Sequence, residues 1–132
     1  VREAMVPRDE IAAVNLSAKP DELLDALIEE GHSRVPVYRE SLDQVVGVIY
    51  ARDLLVQVRH GGLCVLADLI RPVLFVPETM RVAELLSQFQ RQNMQIAIVQ
   101  NAQKGTAGLV TIEDLLEEIV GEIQEDIPPQ RG

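Results

Sequence analysis

The 132-residue chain is 47% hydrophobic and 25% charged, which excludes a disordered tail and fits one domain or two small repeats. Net charge is −9, from 21 acids against 12 bases, and aromatics reach only 3%. That excludes a basic stripe for a phosphate backbone and an aromatic platform for single-stranded nucleic acid. The acidic excess is local: residues 113–126 hold seven acids and no base.

Taken in chain order, a short strand is expected near 11–16. A helix follows, with Pro20 in its first turn, Leu23, Leu24, Leu27 and Ile28 on one face, and Gly31 at its end. A strand at 35–38, a turn-rich stretch from Arg39 to Gln44 and a strand at 45–50 lead into a second helix. The series then recurs. A strand near 73–76 precedes a helix with Val82, Leu85, Leu86 and Phe89 at i, i+3, i+4 and i+7. Strands at 96–100 and 107–111 flank a turn from Asn101 to Thr106. The last helix carries Ile112, Leu115, Leu116, Ile119, Val120 and Ile123 along one stripe, with acids on its other faces. Pro128 and Pro129 end it in a linker-like tail.

This is an internal repeat of β-α-β-β-α order. Residues 35–55 align with 96–116 without gaps at an offset of 61: Gly47 on Gly108, Asp53 on Asp114, Leu54-Leu55 on Leu115-Leu116. Each half is small for a core of its own, so the two are expected to pack as a pseudo-twofold pair with clefts between them.

Gly108-Leu-Val-Thr111-Ile-Glu-Asp114 resembles the Gly-x-x-Thr-x-x-Asp ending of the cystathionine-β-synthase (CBS) domain. Met5-Val-Pro-Arg8, Gly31-His-Ser-Arg-Val-Pro-Val-Tyr38 and the run from Gly105 to Ile123 resemble the CorC/HlyC family of magnesium and cobalt efflux proteins, also called hemolysin-like. The resemblance covers nearly the whole chain. It implies an α+β or α/β fold in which CBS repeats 1–62 and 63–124 pair as a Bateman module, with 125–132 as a linker. It also implies a regulatory module that binds an adenine nucleotide, ATP or AMP, with Mg2+ held through the phosphates rather than by protein ligands. The implied partners are a second copy in a homodimer and, in the full-length parent, a transmembrane transport domain and a C-terminal domain. The module then lies on the cytoplasmic side, and the parent either associates with the inner membrane or lacks the membrane domain.

Thr111 and Asp114 carry two readings. Thr-x-x-Asp at a helix start is a capping arrangement, and the same helix N-terminus favours a phosphate while the carboxylate can accept ribose hydroxyls. The resemblance favours ligand contact and adds Val110 and Ile112. Arg34 suits a phosphate because a guanidinium fork matches its oxygens, with a surface salt bridge as the alternative. Pro36 offers an apolar wall to a base. His32 and Val6 are further candidate contacts, and Arg8 a lesser one. In the first repeat Tyr50 stands where Thr is expected, so Tyr50 and Asp53 mark a degenerate second site, where Asp53 either caps its helix or pairs with Arg52. The loop Asn101-Ala-Gln-Lys-Gly105 lacks the two acids and aromatic usual in the family.

Enzyme signatures are missing: there is no nucleophile–base set, no metal-ligand spacing and no phosphate-binding glycine loop. The acids of 113–126 read as a solvated helix face and His60 as loop. Cys64 reads as a packed small residue whose single thiol suits a reducing compartment. The first residues do not form a secretory signal, no apolar run reaches the roughly 20 residues that cross a bilayer, and the start at Val1 fits a piece of a longer protein. The alternative to a nucleotide sensor is a ligand-free dimerisation and interaction module, favoured by Tyr50 and the altered loop.

Overall fold

The computed structural model describes residues 1–17, 34–59 and 66–126. In order these form β1 (Val6–Pro7), a 3-10 turn (Arg8–Glu10), β2 (Val14–Asn15), β3 (Arg34–Tyr38), β4 (Val45–Tyr50), α1 (Ala51–Arg59), α2 (Leu66–Leu69), β5 (Leu74–Pro77), α3 (Val82–Gln92), β6 (Ile96–Gln100), β7 (Thr106–Thr111) and α4 (Ile112–Asp126). The expected helix through Leu23 to Ile28, with Pro20, Gly31 and His32, lies outside the described residues, as do His60, Cys64 and the tail from Ile127.

The strands form two sheets, β1-β7-β6-β5 and β2-β3-β4. In each repeat the first strand runs parallel to the second, which pairs antiparallel with the third. β3 and β6 are short apolar runs because both of their faces are buried. In β6, Ala97 and Val99 face a core with Leu85, Phe89 and Leu115, whereas Ile96 and Ile98 face the other repeat. In the first repeat Val35, Val37, Ile49 and Leu54 form the equivalent core. Between the sheets Val45, Val48, Val73, Ile96, Ile98 and Leu109 make a third, shared cluster. The Asn101 side chain holds the β6–β7 turn, accepting hydrogen bonds from the N–H groups of Gln103 at 3.0 Å and Gly105 at 2.9 Å.

The stretch before each repeat crosses to the other repeat's sheet. β1 pairs antiparallel with β7, Val6 opposite Leu109 and Pro7 opposite Gly108. Arg71 likewise bridges Val48 in β4, through N–H···O bonds of 2.9 and 2.8 Å. Sequence periodicity treats the segment around Met5-Val-Pro-Arg8 as a connection packing Met5 on the core, because a two-residue strand has no pattern of its own. The crossings explain the aligned glycines. A Cβ on Gly108 would lie 2.6 Å from the Val6 carbonyl oxygen and from the Met5 sulfur, and one on Gly47 would lie 2.6 Å from the Arg71 carbonyl oxygen and closer still to Ile70. Backbone cannot yield as a flexible side chain can, so each crossing requires glycine.

Gly108→Ala is expected to destabilise the fold by about 1–3 kcal/mol, the usual scale of overpacking. Gly121→Ala, at a helix position with nothing within 4 Å of the new Cβ, is expected to stabilise by about 0.5–1 kcal/mol. Urea unfolding midpoints of the two variants check the contrast.

Candidate functional site

β7 ends at Thr111 and α4 begins at Ile112, so Thr111 and Asp114 meet at the helix N-terminus. They form a reciprocal cap. The Thr111 N–H donates to Asp114 Oδ2 at 3.2 Å, and the Asp114 N–H donates to Thr111 Oγ1 at 3.2 Å. Each oxygen takes up an N–H the helix start leaves unpaired. Arg34, at the start of β3, reaches across to the same helix. Its Nη1 and Nη2 donate to Glu113 Oε2 and Oε1 at 3.1 and 2.7 Å, and Nη2 also donates to Gln95 Oε1 at 2.8 Å. The hydrogen bond with Glu113 raises the Arg34 pKa, and the same bond holds the Glu113 carboxyl below its ordinary value.

These groups face a cavity of about 380 Å³, within the usual range for small-molecule sites. Strand alternation aims Arg34 with Pro36, and Leu109 with Thr111, at the same space. The β1 crossing adds Val6, and the turn after it adds Glu10, Ile11 and Ala12. The cavity therefore has apolar walls (Val6, Ile11, Pro36, Ile96, Leu109) and one polar end (Arg34, Thr111, Glu113, Asp114). Of the residues expected from sequence, the structure brings together Val6, Arg34, Pro36, Thr111 and Asp114. Val110 is fully buried in the core and Ile112 packs against the same cluster, so neither lines the cavity. His32 lies outside the described residues. Glu113 and Gln95 are polar residues that the sequence reading passed over. The repeat offset could have flagged Gln95, which is Arg34's counterpart 61 residues on; nothing local pairs Glu113 with a residue 79 positions away.

The pseudo-equivalent cleft is built differently. The Tyr50 ring occupies the place corresponding to Thr111, and three guanidinium groups surround it: Arg71 at 4.8 Å, Arg52 at 5.3 Å and Arg34 at 5.9 Å from the ring centroid. Asp53 is engaged by the Arg71 fork, Nε donating to Oδ2 at 2.8 Å and Nη2 to Oδ1 at 3.0 Å. Sequence proximity suggested Arg52 as its partner. The structure gives it Arg71, which the crossing segment delivers from the second repeat.

A third polar group joins the two repeats at the opposite end of β7. Arg8 donates to the Asp43 carboxylate and, at 2.9 Å, to the Thr106 carbonyl. Asp43 Oδ1 also accepts from the Thr106 N–H at 2.9 Å, and Thr106 Oγ1 donates to the Leu42 carbonyl at 2.7 Å. Arg8 first, and then the Thr106 N–H, hold the Asp43 carboxyl below its ordinary value. Arg8 thus anchors the segment that walls the cavity and does not line it.

The CBS domain profile matches residues 1–60 and 66–121. The chain belongs to the CBS-domain family, as a tandem pair of the CorC type. The magnesium and cobalt efflux protein CorC of Salmonella typhimurium is 41% identical over 127 residues, covering 96% of this chain and 44% of that protein. The chain thus spans less than half the length of that relative. Among solved structures, the CBS domain of the bacterial CNNM/CorC family Mg2+ transporter in complex with ATP superposes with a TM-score of 0.85 at 47% identity, covering 91% of this chain and 86% of that one. A CBS-domain pair with bound AMP from Klebsiella pneumoniae superposes with a TM-score of 0.80 at 30% identity, covering 92% and 98%. Among the described residues no helix is long and apolar enough to cross a membrane.

The lowered carboxyls fix the sign of a pH dependence. Asp43 and Glu113 hold protons less readily folded than unfolded. The stability they contribute is complete above the ordinary carboxylate pKa and is lost as pH falls through the lowered, folded values. Asp43→Asn is therefore expected to melt below the parent at about pH 6, with the gap closing towards about pH 3. Circular-dichroism melts across that range measure it, and a gap that stays constant would show that the Arg8–Asp43 pair has no pH-linked role.

Proposed function

We propose that this chain is the nucleotide-sensing regulatory module of a magnesium and cobalt efflux-related protein, and that the cavity at Thr111 and Asp114 takes an adenine nucleotide. The observation that carries this reading is the convergence of Val6, Arg34, Pro36, Thr111 and Asp114 on one cavity of about 380 Å³. The residues fit such a ligand. Val6, Pro36 and Leu109 offer apolar surface to a base, Asp114 and Thr111 offer acceptors to ribose hydroxyls, and Arg34 offers a fork to a phosphate. The ATP and AMP bound by its structural relatives support the same assignment.

Among the described residues, the cavity is lined by the carboxylates of Glu10, Glu113 and Asp114 against one cation, Arg34. A polyphosphate entering so acidic a cavity needs its charge offset, and Mg2+ carried on the phosphates supplies that. The module, repeats 1–62 and 63–124 with 125–132 leading onward, acts by population shift, because a ligand touching both repeats favours the arrangement that fits it best. It lies on the cytoplasmic side of a membrane-associated parent that carries the transport domain and a C-terminal domain. It pairs with a second copy through helix faces that are apolar yet exposed: Leu116 and Val120 on α4, Leu55 and Val56 on α1, each about half exposed.

One observation favours a ligand-free dimerisation module instead: Glu113 and Gln95 already satisfy Arg34 without a ligand. Thermal unfolding with AMP, ADP and ATP, each with and without Mg2+, separates the readings. A ligand at about 100 times its Kd adds about 2.7 kcal/mol, several degrees in Tm. Asp114→Ala loses part of a helix cap, about 1 kcal/mol, so the quantity compared is the ligand-induced shift; it is expected to vanish in that variant. The absence of a shift with every nucleotide would leave the dimerisation module as the account. In a separate test, Leu116→Glu is expected to convert a dimer to a monomer by light scattering after size exclusion, and an unchanged mass would remove α4 from the interface.

A further inference from the structure

Arg34 lies on the boundary between two cavities. On one side is the cavity of Thr111 and Asp114. On the other is a second cavity of about 340 Å³, lined by Tyr50, Ala51, Arg52, Leu55 and Gln95 together with Arg34 itself. Their charges are opposite. Among the described residues, the first presents Glu10, Glu113 and Asp114 against Arg34, whereas the second presents Arg34 and Arg52 and no carboxylate. The guanidinium groups of Arg34 and Arg52 sit over the same Tyr50 ring, at 5.9 and 5.3 Å. Of the three arginines around that ring, Arg34 is ion-paired with Glu113 and Arg71 with Asp53; among the described residues Arg52 has no carboxylate partner.

We infer that the Tyr50–Arg52 cavity is a subsite for the terminal phosphates of a nucleoside polyphosphate, with Arg52 the residue that separates polyphosphates from monophosphates. The inference rests on the nucleotide reading above and adds to it the direction of the phosphate chain. A monophosphate needs only Arg34. Further phosphates are repelled by the carboxylates of the first cavity, and they gain charge-assisted hydrogen bonds by turning past Arg34 towards Arg52. Tyr50, which replaces the Thr of the second repeat, then has a use: its ring is the platform on which these guanidinium groups are arrayed. The first-repeat site, read from sequence as degenerate, serves its neighbour.

The test is calorimetric titration of ATP and AMP, both at one fixed Mg2+ concentration, into the parent chain, Arg52→Gln and Arg52→Lys. Arg52 is exposed, so neither variant threatens the fold. Arg52→Gln is expected to weaken ATP by about tenfold to a hundredfold, the loss of one hydrogen bond between charged groups, and to leave AMP within about twofold. Arg52→Lys is expected to restore part of the ATP affinity. Equal weakening of AMP and ATP, or no change in ATP, would overturn the subsite while leaving the nucleotide reading intact. Failure of both nucleotides to bind the parent chain would overturn both.

Discussion

The two crossings at Gly47 and Gly108 are the constraint on which the remaining architecture depends. In each, a backbone carbonyl lies where a side chain would begin. Each crossing joins the sheet of one repeat to the chain that precedes the other, so neither repeat completes its sheet alone. The shared cluster of Val45, Val48, Val73, Ile96, Ile98 and Leu109 then buries the facing surfaces of both. The geometry also makes the cavities composite. Without the approach of Val6 to Leu109, the wall formed by Val6 and Ile11 would have no support. Without Arg71 against Val48, Asp53 would lose its ion-pair partner.

On this symmetric backbone the side chains diverge at a few positions. At the offset of 61, Thr111 answers to Tyr50, Asp114 to Asp53, Arg34 to Gln95 and Pro36 to Ala97. The second repeat's helix start keeps short capping side chains and an open cavity, and the first repeat's is occupied by a ring and a committed ion pair. Arg34 and Gln95 are equivalent residues that hydrogen-bond to each other, which places them where the repeats meet. A change at Arg34 in one cavity therefore acts directly on the wall of the other.

Most of the scaffold could be read from the residues. Strands buried on two faces appear as unbroken apolar runs, α3 and α4 carry their stripes at helical spacing, and the glycine and Leu-Leu matches set the repeat. Positions whose meaning depends on distant partners could not be read. Val6–Pro7 is too short to show a strand period, and its pairing depends on a strand a hundred residues on. Asp53 has Arg52 beside it in sequence, yet a helix turns adjacent residues to different faces and leaves Asp53 to Arg71. Val110 and Ile112 flank Thr111 in sequence, but strand alternation turns Val110 inward. Thr111 and Asp114 could be read as a cap or as ligand contacts because both readings start from a helix N-terminus; the structure shows the cap, and both residues line the cavity.

Among the described residues, two of the polar groups that join the repeats fall at the two ends of β7, and the Arg71–Asp53 pair joins them beside β4. Thr106 begins the strand and belongs to the Arg8–Asp43 group, while Thr111 ends it beside Arg34, Glu113 and Gln95. Between them the shared cluster is apolar, and apolar contact resists separation without fixing orientation. Orientation is set by the hydrogen-bonded groups, because these have direction. They differ in how open they are to exchange. The Thr106 group includes a buried threonine, whose N–H bonds to Asp43 Oδ1 and whose Oγ1 bonds to the Leu42 carbonyl. At the other end, Arg34 is bound to Glu113, whose side chain is 61% exposed and can leave for water. An anion that displaced it would act at that end and leave the Thr106 bonds and the Arg71–Asp53 pair in place. Because Glu113 is mostly exposed, exchanging this pair is worth about 1 kcal/mol or less, at the lower end of the couplings of about 1–3 kcal/mol through which regulatory sites act.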